Sequence, residues 1–540
     1  MSGWLNALPV MLPLLTAAVF ARRGRARSLA VIIAPWLPLA LLVPLWQADA
    51  SAAPVLLLGL RLGVDAFSAP LLLLSALAWT LAGVFARGAI RRGQMRFWVG
   101  WLVSLAGMSL VLLAADLAGF YAGYATLSLA SWLLVIHARS DQAWHAGRVY
   151  LVITLLGEMA VFAAVVAIAA GHGNVALGSI DALPLADHWR WLALAGFAVK
   201  MGVFPLHVWL PLAHPVAPVP SSAILSGVIV KAGLLGWLRL VPPGIEHGIE
   251  LAPVLFGLGL FTAFFGVAVG LLQRQLKVVL AYSTISQMGL VLVLYALMLA
   301  GGSQEMAPWL GLLVLHHGLN KAALFIACGC APGRGWLRGV LVALPALALT
   351  GAPLTTGMLA KAGIKQALAT SSFGAGWATV LGLSSTATAL LLWHFWRLAR
   401  ADRKYRHVRP AWVVLVLSAL FVPWAWLAIH DLDAHLLGGL WAASWPLLLA
   451  AGLIALLRGL PRPPALPAGD LVILYQSLAR YVVTVLGRIA GLQGRALPNL
   501  HPVHVRLNAR FLDLEQRLTA LPVAGLLVLG IGGLLWLFAR

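Results

Sequence analysis

Residues 200–214 read Lys-Met-Gly-Val-Phe-Pro-Leu-His-Val-Trp-Leu-Pro-Leu-Ala-His, an apolar run that begins with a lysine and contains two prolines. Apolar runs of about 20 residues recur on both sides of it, each long enough to cross the ~30 Å hydrocarbon core of a bilayer. Proline removes a helical hydrogen bond, and a break at membrane depth is tolerated only where protein or water satisfies the freed groups. The stretch therefore predicts a broken helix in an all-α polytopic membrane protein.

The composition of the whole chain agrees with this fold class. Of 540 residues, 62% are hydrophobic and 10% are charged, and the mean hydropathy is +0.94. The two cysteines, Cys328 and Cys330, are too close together to close a useful loop and do not have the spacing of a metal site. We expect no cofactor, no bound metal and no active site in this chain.

The net charge of +21 is distributed as in a membrane protein. Basic residues cluster in alternate loops, and acidic residues occupy the loops between them, so the positive-inside rule orients the helices. This pattern predicts contact with a lipid bilayer and not with nucleic acid. We expect a multi-pass protein of the bacterial inner (plasma) membrane with both termini in the periplasm. The cytoplasmic loops are marked by Arg22–Arg27, Arg87–Arg96, Arg139, Arg148, Arg274, Lys277, Arg334, Arg338 and Arg397–Arg409.

The apolar runs predict about sixteen transmembrane helices. They are expected near 4–21, 28–47, 65–86, 98–115, 117–136, 148–170, 189–207, 220–241, 251–272, 276–300, 306–331, 336–365, 372–398, 411–430, 436–458 and 520–539.

These helices group into segments. We expect three N-terminal helices in 1–97, a five-helix repeat in 98–241, a second five-helix repeat in 251–398, and two helices in 411–458. The polar stretch 461–519 has apolar residues at helical spacing, which predicts an amphipathic lateral segment on the cytoplasmic face. A last transmembrane helix follows in 520–540.

Five charged side chains lie inside apolar runs: Glu158, Lys200, Lys231, Lys321 and Lys361. Each costs at least ~3 kcal/mol near the centre of a bilayer, so their retention indicates a proton or cation path.

The second lysine at a predicted break is Lys361, which follows Gly351-Ala-Pro353 and Gly357. Broken helices at matching positions in two halves are typical of transporters. The positions of the breaks therefore predict that the two five-helix repeats are inverted relative to each other.

Three further motifs carry a resemblance to a known family. They are 217–231, Ala-Pro-Val-Pro-Ser-Ser-Ala-Ile-Leu-Ser-Gly-Val-Ile-Val-Lys; 276–289, Leu-Lys-Val-Val-Leu-Ala-Tyr-Ser-Thr-Ile-Ser-Gln-Met-Gly; and the run from His317 through Lys321 to Phe325. With 200–214, they resemble the antiporter-like, proton-translocating subunits of respiratory complex I, membrane-bound hydrogenases and Mrp cation antiporters. The resemblance covers roughly residues 60–400.

The resemblance implies a proton pathway at mid-membrane. Lys200 matches the broken-helix lysine of the family, Lys231 the central lysine, His317 and Lys321 the next link, and Lys361 the exit-side lysine. Burial disfavours a charged ammonium and a nearby carboxylate favours it, so movement of a partner can make a lysine release its proton. His207, His316 and His394 are further possible members; His207 and His394 also suit structural roles. Lys361 is also placed where it could snorkel to the interface.

One departure from the family concerns its fifth helix. The family carries a glutamate there that pairs with the broken-helix lysine, and the matching position in this chain is Ala125. Glu158, on the next predicted helix, is the only carboxylate deep in a predicted span. We therefore predict that Glu158 replaces the missing acid, with a purely structural ion pair as the alternative.

Three functions compete at this stage. The first is a proton-translocating or cation-translocating subunit of a redox-driven complex of the NADH:quinone oxidoreductase or hydrogenase type, with other membrane and cytoplasmic subunits as partners. The second is the membrane subunit of a DAB-type inorganic carbon accumulation complex, whose partner is carbonic-anhydrase-like; Ala125 favours it, and Lys231 disfavours it. The third is a non-conducting scaffold.

Overall fold

The computed structural model describes residues 5–20, 24–46, 60–183, 186–244, 248–301, 304–330, 336–401, 408–432, 439–456, 466–469 and 471–472. The chain divides into two compact units, Met1–Gly469 and Asp470–Arg540, and the fold described below is that of the first. The predicted lateral segment 461–519 lies almost wholly outside the described residues, and the predicted last helix 520–540 lies wholly outside them.

The described part of the chain has the fold of an all-helical, multi-pass membrane protein. Eleven of its helices are long and apolar enough to cross a membrane, and three shorter apolar helices accompany them. The α-helices in chain order are α1 Leu8–Val19, α2 Arg25–Ile33, α3 Ser68–Ala89, α4 Gln94–Leu113, α5 Leu117–Val135, α6 Asp141–His172, α7 Asp187–Met201, α8 Trp209–Val216, α9 Val219–Ile224, α10 Lys231–Leu240, α11 Gly248–Leu271, α12 Leu276–Gly301, α13 Ala307–Cys330, α14 Trp336–Thr350, α15 Thr356–Thr370, α16 Ala378–Ala401, α17 Pro410–Ile429 and α18 Leu440–Leu456.

The N-terminal spans differ in detail from the predicted ones. The helix expected at 28–47 is α2 followed by a 3₁₀ segment, Ala34–Leu42. Pro35 and Pro38 lie in that segment, and each removes a donor that a continuous α-helix would use. Prolines therefore change the helix type without removing the apolar segment.

The centre of the fold is formed by α12 and α13, which are buried along almost their entire lengths. Glycines allow α12 to lie directly against α11. A Cβ added to Gly289 would come within 2.6 Å of the Ala263 backbone nitrogen, and one added to Gly266 within 2.7 Å of that of Ser286. Small residues permit this close approach between membrane helices, which is stabilised by van der Waals packing.

Short backbone pairings join the loops at one end of the helices. Isolated bridges connect Leu62 with Ala114 and Asp116 with Ala176. Asp116 also caps α5, because its carboxylate accepts the Gly119 backbone amide at 2.8 Å and the Asn174 side chain at 3.3 Å. The sequence did not predict these pairings, which fix the ends of α4 and α5.

Both predicted breaks correspond to helix ends in the structure. In the span expected at 189–207, the helix ends at Met201, and the next residue, Gly202, adopts a φ of +69°. The chain becomes helical again at Trp209. The span expected at 336–365 is divided between α14 and α15 by a turn at Gly351, whose φ is +81°. Positive φ values favour glycine, so these two residues end their helices at little cost.

A further irregularity was not predicted. The span expected at 220–241 contains a π-helical segment, Leu225–Ile229, between α9 and α10. Lys231 follows it after a single residue, Val230. Single π-helical turns inside α-helices are rare and occur often at functional sites.

Candidate ion-translocation site

Lys200 lies in the last turn of α7 and is only 2% exposed. Its ammonium has no hydrogen-bond partner among the described residues and lies over two aromatic rings, 5.5 Å from the centroid of Tyr124 and 5.7 Å from that of Tyr150. Desolvated cation–π contacts stabilise a cation by about 2 kcal/mol, which is less than the loss of hydration costs it. A charge at this position is therefore only partly compensated.

Glu158, on α6, is buried near Lys200 and within electrostatic range of it. Its Oε1 accepts a short hydrogen bond from the Ser128 hydroxyl, whereas Oε2 has no partner within the described part of the chain. These two described residues do not form an ion pair at 4.0 Å or less. The acid and the base therefore both retain unused hydrogen-bonding capacity.

Two glycines bring the helices of Glu158 and Lys200 together. A Cβ added to Gly196 on α7 would lie 2.6 Å from the Gly157 carbonyl oxygen, and a Cβ added to Gly157 would lie 3.0 Å from Cβ of Val199. Gly157 precedes Glu158, and Val199 precedes Lys200. This contact explains how an acid and a base on separate helices come to share one buried region.

Tyr150, on α6, links this region to α5. Its hydroxyl lies 2.6 Å from the Ser131 hydroxyl and donates to the Ser128 carbonyl at 3.2 Å. The carbonyl of Ser128 therefore accepts a hydrogen bond from Tyr150, and its hydroxyl donates one to Glu158. Sequence reasoning missed both serines and Tyr150, because the contacts join residues 19 to 30 positions apart on different helices.

The same geometry brings Glu158 to α5 near Ala125, the position at which the family resemblance predicts an acid. Ser128, which binds Glu158, lies three residues after Ala125 on α5, and residues at this spacing occupy one face of a helix. The carboxylate therefore reaches the helix that lacks one.

Lys231, at the start of α10, is fully buried and donates to the Ser226 carbonyl at 2.8 Å, inside the π-helical segment. The Ser226 hydroxyl in turn lies 2.7 Å from the Thr284 hydroxyl of α12. A Cβ added to Gly227 would come within 2.9 Å of the Gly318 carbonyl oxygen on α13. The π segment thus packs directly against the helix that carries His317.

His317 and Lys321 lie together on α13 and are both fully buried. Lys321 donates to the Leu280 carbonyl at 3.1 Å. Neither ring nitrogen of His317 has a hydrogen-bond partner among the described residues, and the ring lies within electrostatic range of Lys231 and Lys321. An imidazole with two unused nitrogens near two amines is suited to accept and donate protons.

His316 connects α13 with α15. Its Nδ1 lies 2.8 Å from the Thr356 hydroxyl and 3.2 Å from the Asn320 side-chain nitrogen. Thr356 opens α15, and Lys361 lies on the same helix. The two adjacent histidines therefore have different surroundings: His317 lies among the central lysines, and His316 bonds to the helix of Lys361.

Lys361 is half-buried beside the Gly351 turn. It donates to the Thr350 carbonyl at 2.9 Å and to the Ser385 hydroxyl at 2.7 Å, and a Cβ on Gly351 would come within 2.9 Å of its Cδ. The side chain therefore folds back over the break between α14 and α15, and a cavity of about 500 Å³ adjoins it.

Three further histidines, His207, His214 and His394, lie outside α13. Of these, His214 is within electrostatic range of Lys321, which belongs with Lys200, Lys231 and Lys361 to the lysine row. His207 packs in the turn after α7 with its ring centroid 5.1 Å from that of Phe265, and His214 stacks on Phe325 at 4.5 Å. His394 bonds through Nε2 to the Gln273 carbonyl at 2.8 Å. Lys277, which opens α12, donates to the Ala217 carbonyl at 2.6 Å.

Within the described ranges, no group of three or more His, Cys, Asp or Glu side chains is placed to hold a metal ion.

Comparison with known proteins finds a family match over the region that contains most of this site. Residues 114–334 match the family described as NADH:quinone oxidoreductase/Mrp antiporter, TM. Residues 114–334 belong to this antiporter-like family. They include every member of the lysine row except Lys361.

Relatives of this antiporter-like region occur in several kinds of complex. The chain is 29% identical to hydrogenase-4 component B of Escherichia coli (strain K12) over 52% of its own length and 45% of the relative. It is 34% identical to NAD(P)H-quinone oxidoreductase chain 4 1 of Picosynechococcus sp., over 51% and 52%, and 29% identical to NADH-quinone oxidoreductase subunit M of E. coli (strain K12), over 58% and 67%. The chain thus matches about half to two thirds of the length of these relatives.

Solved structures share the antiporter-like fold. A chain of the Mrp complex from Dietzia sp. DQ12-45-1b superposes with a TM-score of 0.73 at 18% identity, covering 96% of this chain and 63% of that one. A chain of the membrane-bound sulfane sulfur reductase, an archaeal respiratory membrane complex, superposes with a TM-score of 0.67 at 20% identity, covering 84% and 99%.

Proposed function

We propose that this chain is a proton-translocating membrane subunit of an energy-coupled multisubunit complex. The observation that carries the proposal is the row of buried amines Lys200, Lys231 and Lys321, continued by Lys361. Each contacts carbonyls, hydroxyls or aromatic rings, and none forms an ion pair with a described carboxylate. Amines held in this way gain or lose a proton when a nearby charge moves.

In this proposal, Glu158 and Lys200 form the first acid–base pair, and Glu158 takes the role of the acid absent at Ala125. The support is the contact of Glu158 with α5 through Ser128 and the close approach of α6 and α7. A proton on Glu158 removes the negative charge near Lys200, so the lysine then releases its own proton more readily.

Onward transfer runs from Lys231 through His317 and Lys321 to Lys361. His317 supplies a neutral acceptor among the central amines, and the contact of His316 with Thr356 supports a connection to α15. Water molecules between these groups would complete the path, since proton transfer requires hydrogen-bond distances.

We also propose the two-halves architecture that this mechanism needs. The halves are 98–241 and 251–398, related by inversion, with 1–97, 411–458, the lateral segment 461–519 and the last helix 520–540 as additions. The breaks at Gly202 and Gly351 support this arrangement, because each places a lysine beside an interrupted helix. The bacterial inner membrane, with both termini in the periplasm, is the proposed location.

The first experiment is purification of the intact complex from native membranes through a tag on this chain. Redox subunits among the co-purified proteins would support a subunit of a respiratory or hydrogenase-type complex. A carbonic-anhydrase-like protein supports the second candidate, the DAB-type inorganic carbon complex, which the alanine at 125 favours.

The second experiment tests conduction itself. The complex is reconstituted into liposomes and energised with the substrate of its co-purified enzyme, and proton transfer is followed with a pH-sensitive dye. We expect Lys231→Met to slow transfer by about 100-fold, the usual size of a lost acid–base step, and the matched Lys277→Met to leave it near the wild-type rate. Wild-type transfer in an assembled Lys231→Met complex would refute the proposal and favour a non-conducting scaffold. Replacement of sodium by potassium separates proton from sodium transport.

A further inference from the structure

The cavity beside Lys361 has an unusual lining. It measures about 500 Å³ and is bordered by Lys361, Lys365, Gln366, Ser384, Ser385 and Trp309 among others. A water molecule occupies about 30 Å³ of liquid, so the space is large enough for a small ion with part of its hydration shell.

The charges in this cavity are of one sign. Lys361 and Lys365 lie four residues apart on α15, a spacing that puts both side chains on one face and makes like charges repel. Among the described residues that line the cavity, none is an aspartate or a glutamate. Two ammonium groups on one face of a partly open cavity create a positive potential that attracts counter-ions.

The hydrogen-bonding groups complete an anion-binding lining. Lys361 uses two donors on Thr350 and Ser385, and no hydrogen bond joins Lys365 to the described part of the chain. Ser385 on α16 accepts the hydrogen bond of Lys361, and its own hydroxyl hydrogen is donated to no described residue. The Ser384 hydroxyl also borders the cavity but donates to the Leu381 carbonyl at 2.6 Å, and the exposed Gln366 adds an amide. Ammonium, hydroxyl and amide groups are the donors with which proteins hold small anions.

We propose that this cavity binds one small monovalent anion, of the size of a halide or bicarbonate, between Lys361 and Lys365. The anion neutralises the repulsion of the two ammonium groups and stabilises the protonated form of Lys361. Binding follows from the cavity alone. Its consequence for transport, that proton release from Lys361 requires the anion to leave, rests on the proposed function.

Binding is tested on the purified complex by thermal unfolding in sodium chloride, sodium bicarbonate and sodium gluconate at equal ionic strength. We expect chloride or bicarbonate to raise the unfolding midpoint of this subunit by about 2–4 °C over gluconate, a bulkier anion that fits less closely between the two lysines. The response to each salt identifies the ion preferred. Lys365→Met and the less disruptive Lys365→Gln should abolish the rise, and Lys365→Arg should retain it. The matched Lys277→Met, which removes an equal charge outside the cavity, should also retain it.

Equal midpoints in all three salts, or a full rise in both neutral variants of Lys365, would overturn the anion site. Transport gives a separate readout in the same liposomes. We expect proton transfer to change at least about twofold between chloride and gluconate in the wild type and to be insensitive to the anion in Lys365→Gln. If the unfolding midpoint depends on the anion but the liposomes show no proton transfer, the anion site is supported and the proposed function is rejected. If proton transfer occurs but the midpoint does not depend on the anion, the proposed function is supported and the anion site is rejected.

Discussion

The ammonium of Lys200 lies 5.7 Å from the ring centroid of Tyr150, whose hydroxyl bonds to the Ser131 hydroxyl and to the carbonyl of Ser128, the serine that holds Glu158. One tyrosine thus contacts the base with its ring and the support of the acid with its hydroxyl. Tyr150 is accordingly a positioning residue for the pair, and its two contributions can be separated by mutation.

Tyr150→Phe keeps the ring beneath Lys200 and removes the hydroxyl. We expect proton transfer to fall about tenfold while the complex still assembles, because Ser128 and Ser131 lose the group that fixes them. The matched control is Tyr124→Phe, which also leaves a ring under Lys200 but removes a hydroxyl that has no hydrogen bond to the described residues. Equal transfer rates in the two variants would reduce Tyr150 to a packing residue.

Glu158→Gln removes the carboxylate with almost no change of shape. We expect proton transfer to be lost, by about 100-fold or more, without loss of assembly. The sharper test adds Ala125→Glu to this variant, which restores an acid one turn from Ser128 on α5. Partial recovery of transfer in the double variant is expected, and unimpaired transfer in Glu158→Gln alone would show that Lys200 works without this partner.

Gly196→Ala tests the contact between α6 and α7. The added methyl would lie 2.6 Å from a backbone oxygen, so the helices must separate. We expect destabilisation of about 1–3 kcal/mol, seen as a lower thermal midpoint, together with slower proton transfer. Gly171→Ala, on α6, meets no atom within 4 Å and serves as the control. A Gly196→Ala complex that matches this control in both measurements would contradict the importance of the close approach.

The pair of Asp65 and Arg239 gives a prediction for pH. Burial raises the pKa of Asp65, but the Arg239 guanidinium at 2.8 Å and the backbone amides of Ser68 and Phe67 together outweigh burial, and the net pKa lies below the usual 3.8. A carboxyl with a lowered folded-state pKa stabilises the fold above its unfolded pKa, and this stabilisation is lost as the pH falls through the folded value.

Asp65 lies outside the spans and its side chain is 44% exposed, so screening limits the effect to about 0.5–1 kcal/mol. We expect Asp65→Asn to lower the thermal midpoint of the subunit near pH 7 and to differ less from the wild type below about pH 4. A difference between the two proteins that stays constant from pH 7 to below pH 4 would contradict the linkage.

The sequence identified the residues of the site better than their contacts. Glu158 and the four lysines could be found because a charge in an apolar run is costly, and the breaks at Gly202 and Gly351 because glycine and proline mark helix ends. The Tyr150–Ser131 bond and the cavity beside Lys361 could not, since they join residues on separate helices. The π segment before Lys231 also escaped prediction, because its apolar sequence suits an α-helix equally well.

The π segment has a mechanical consequence. The Ser226 carbonyl inside it is held by the side chain of Lys231, five positions further along the same span. A charged donor makes a hydrogen bond roughly twice as strong as a neutral one, so the widened turn is held more firmly when the amine carries its proton. The charge on one atom is thereby coupled to the local pitch of a buried helix, at the point where Gly227 touches its neighbour.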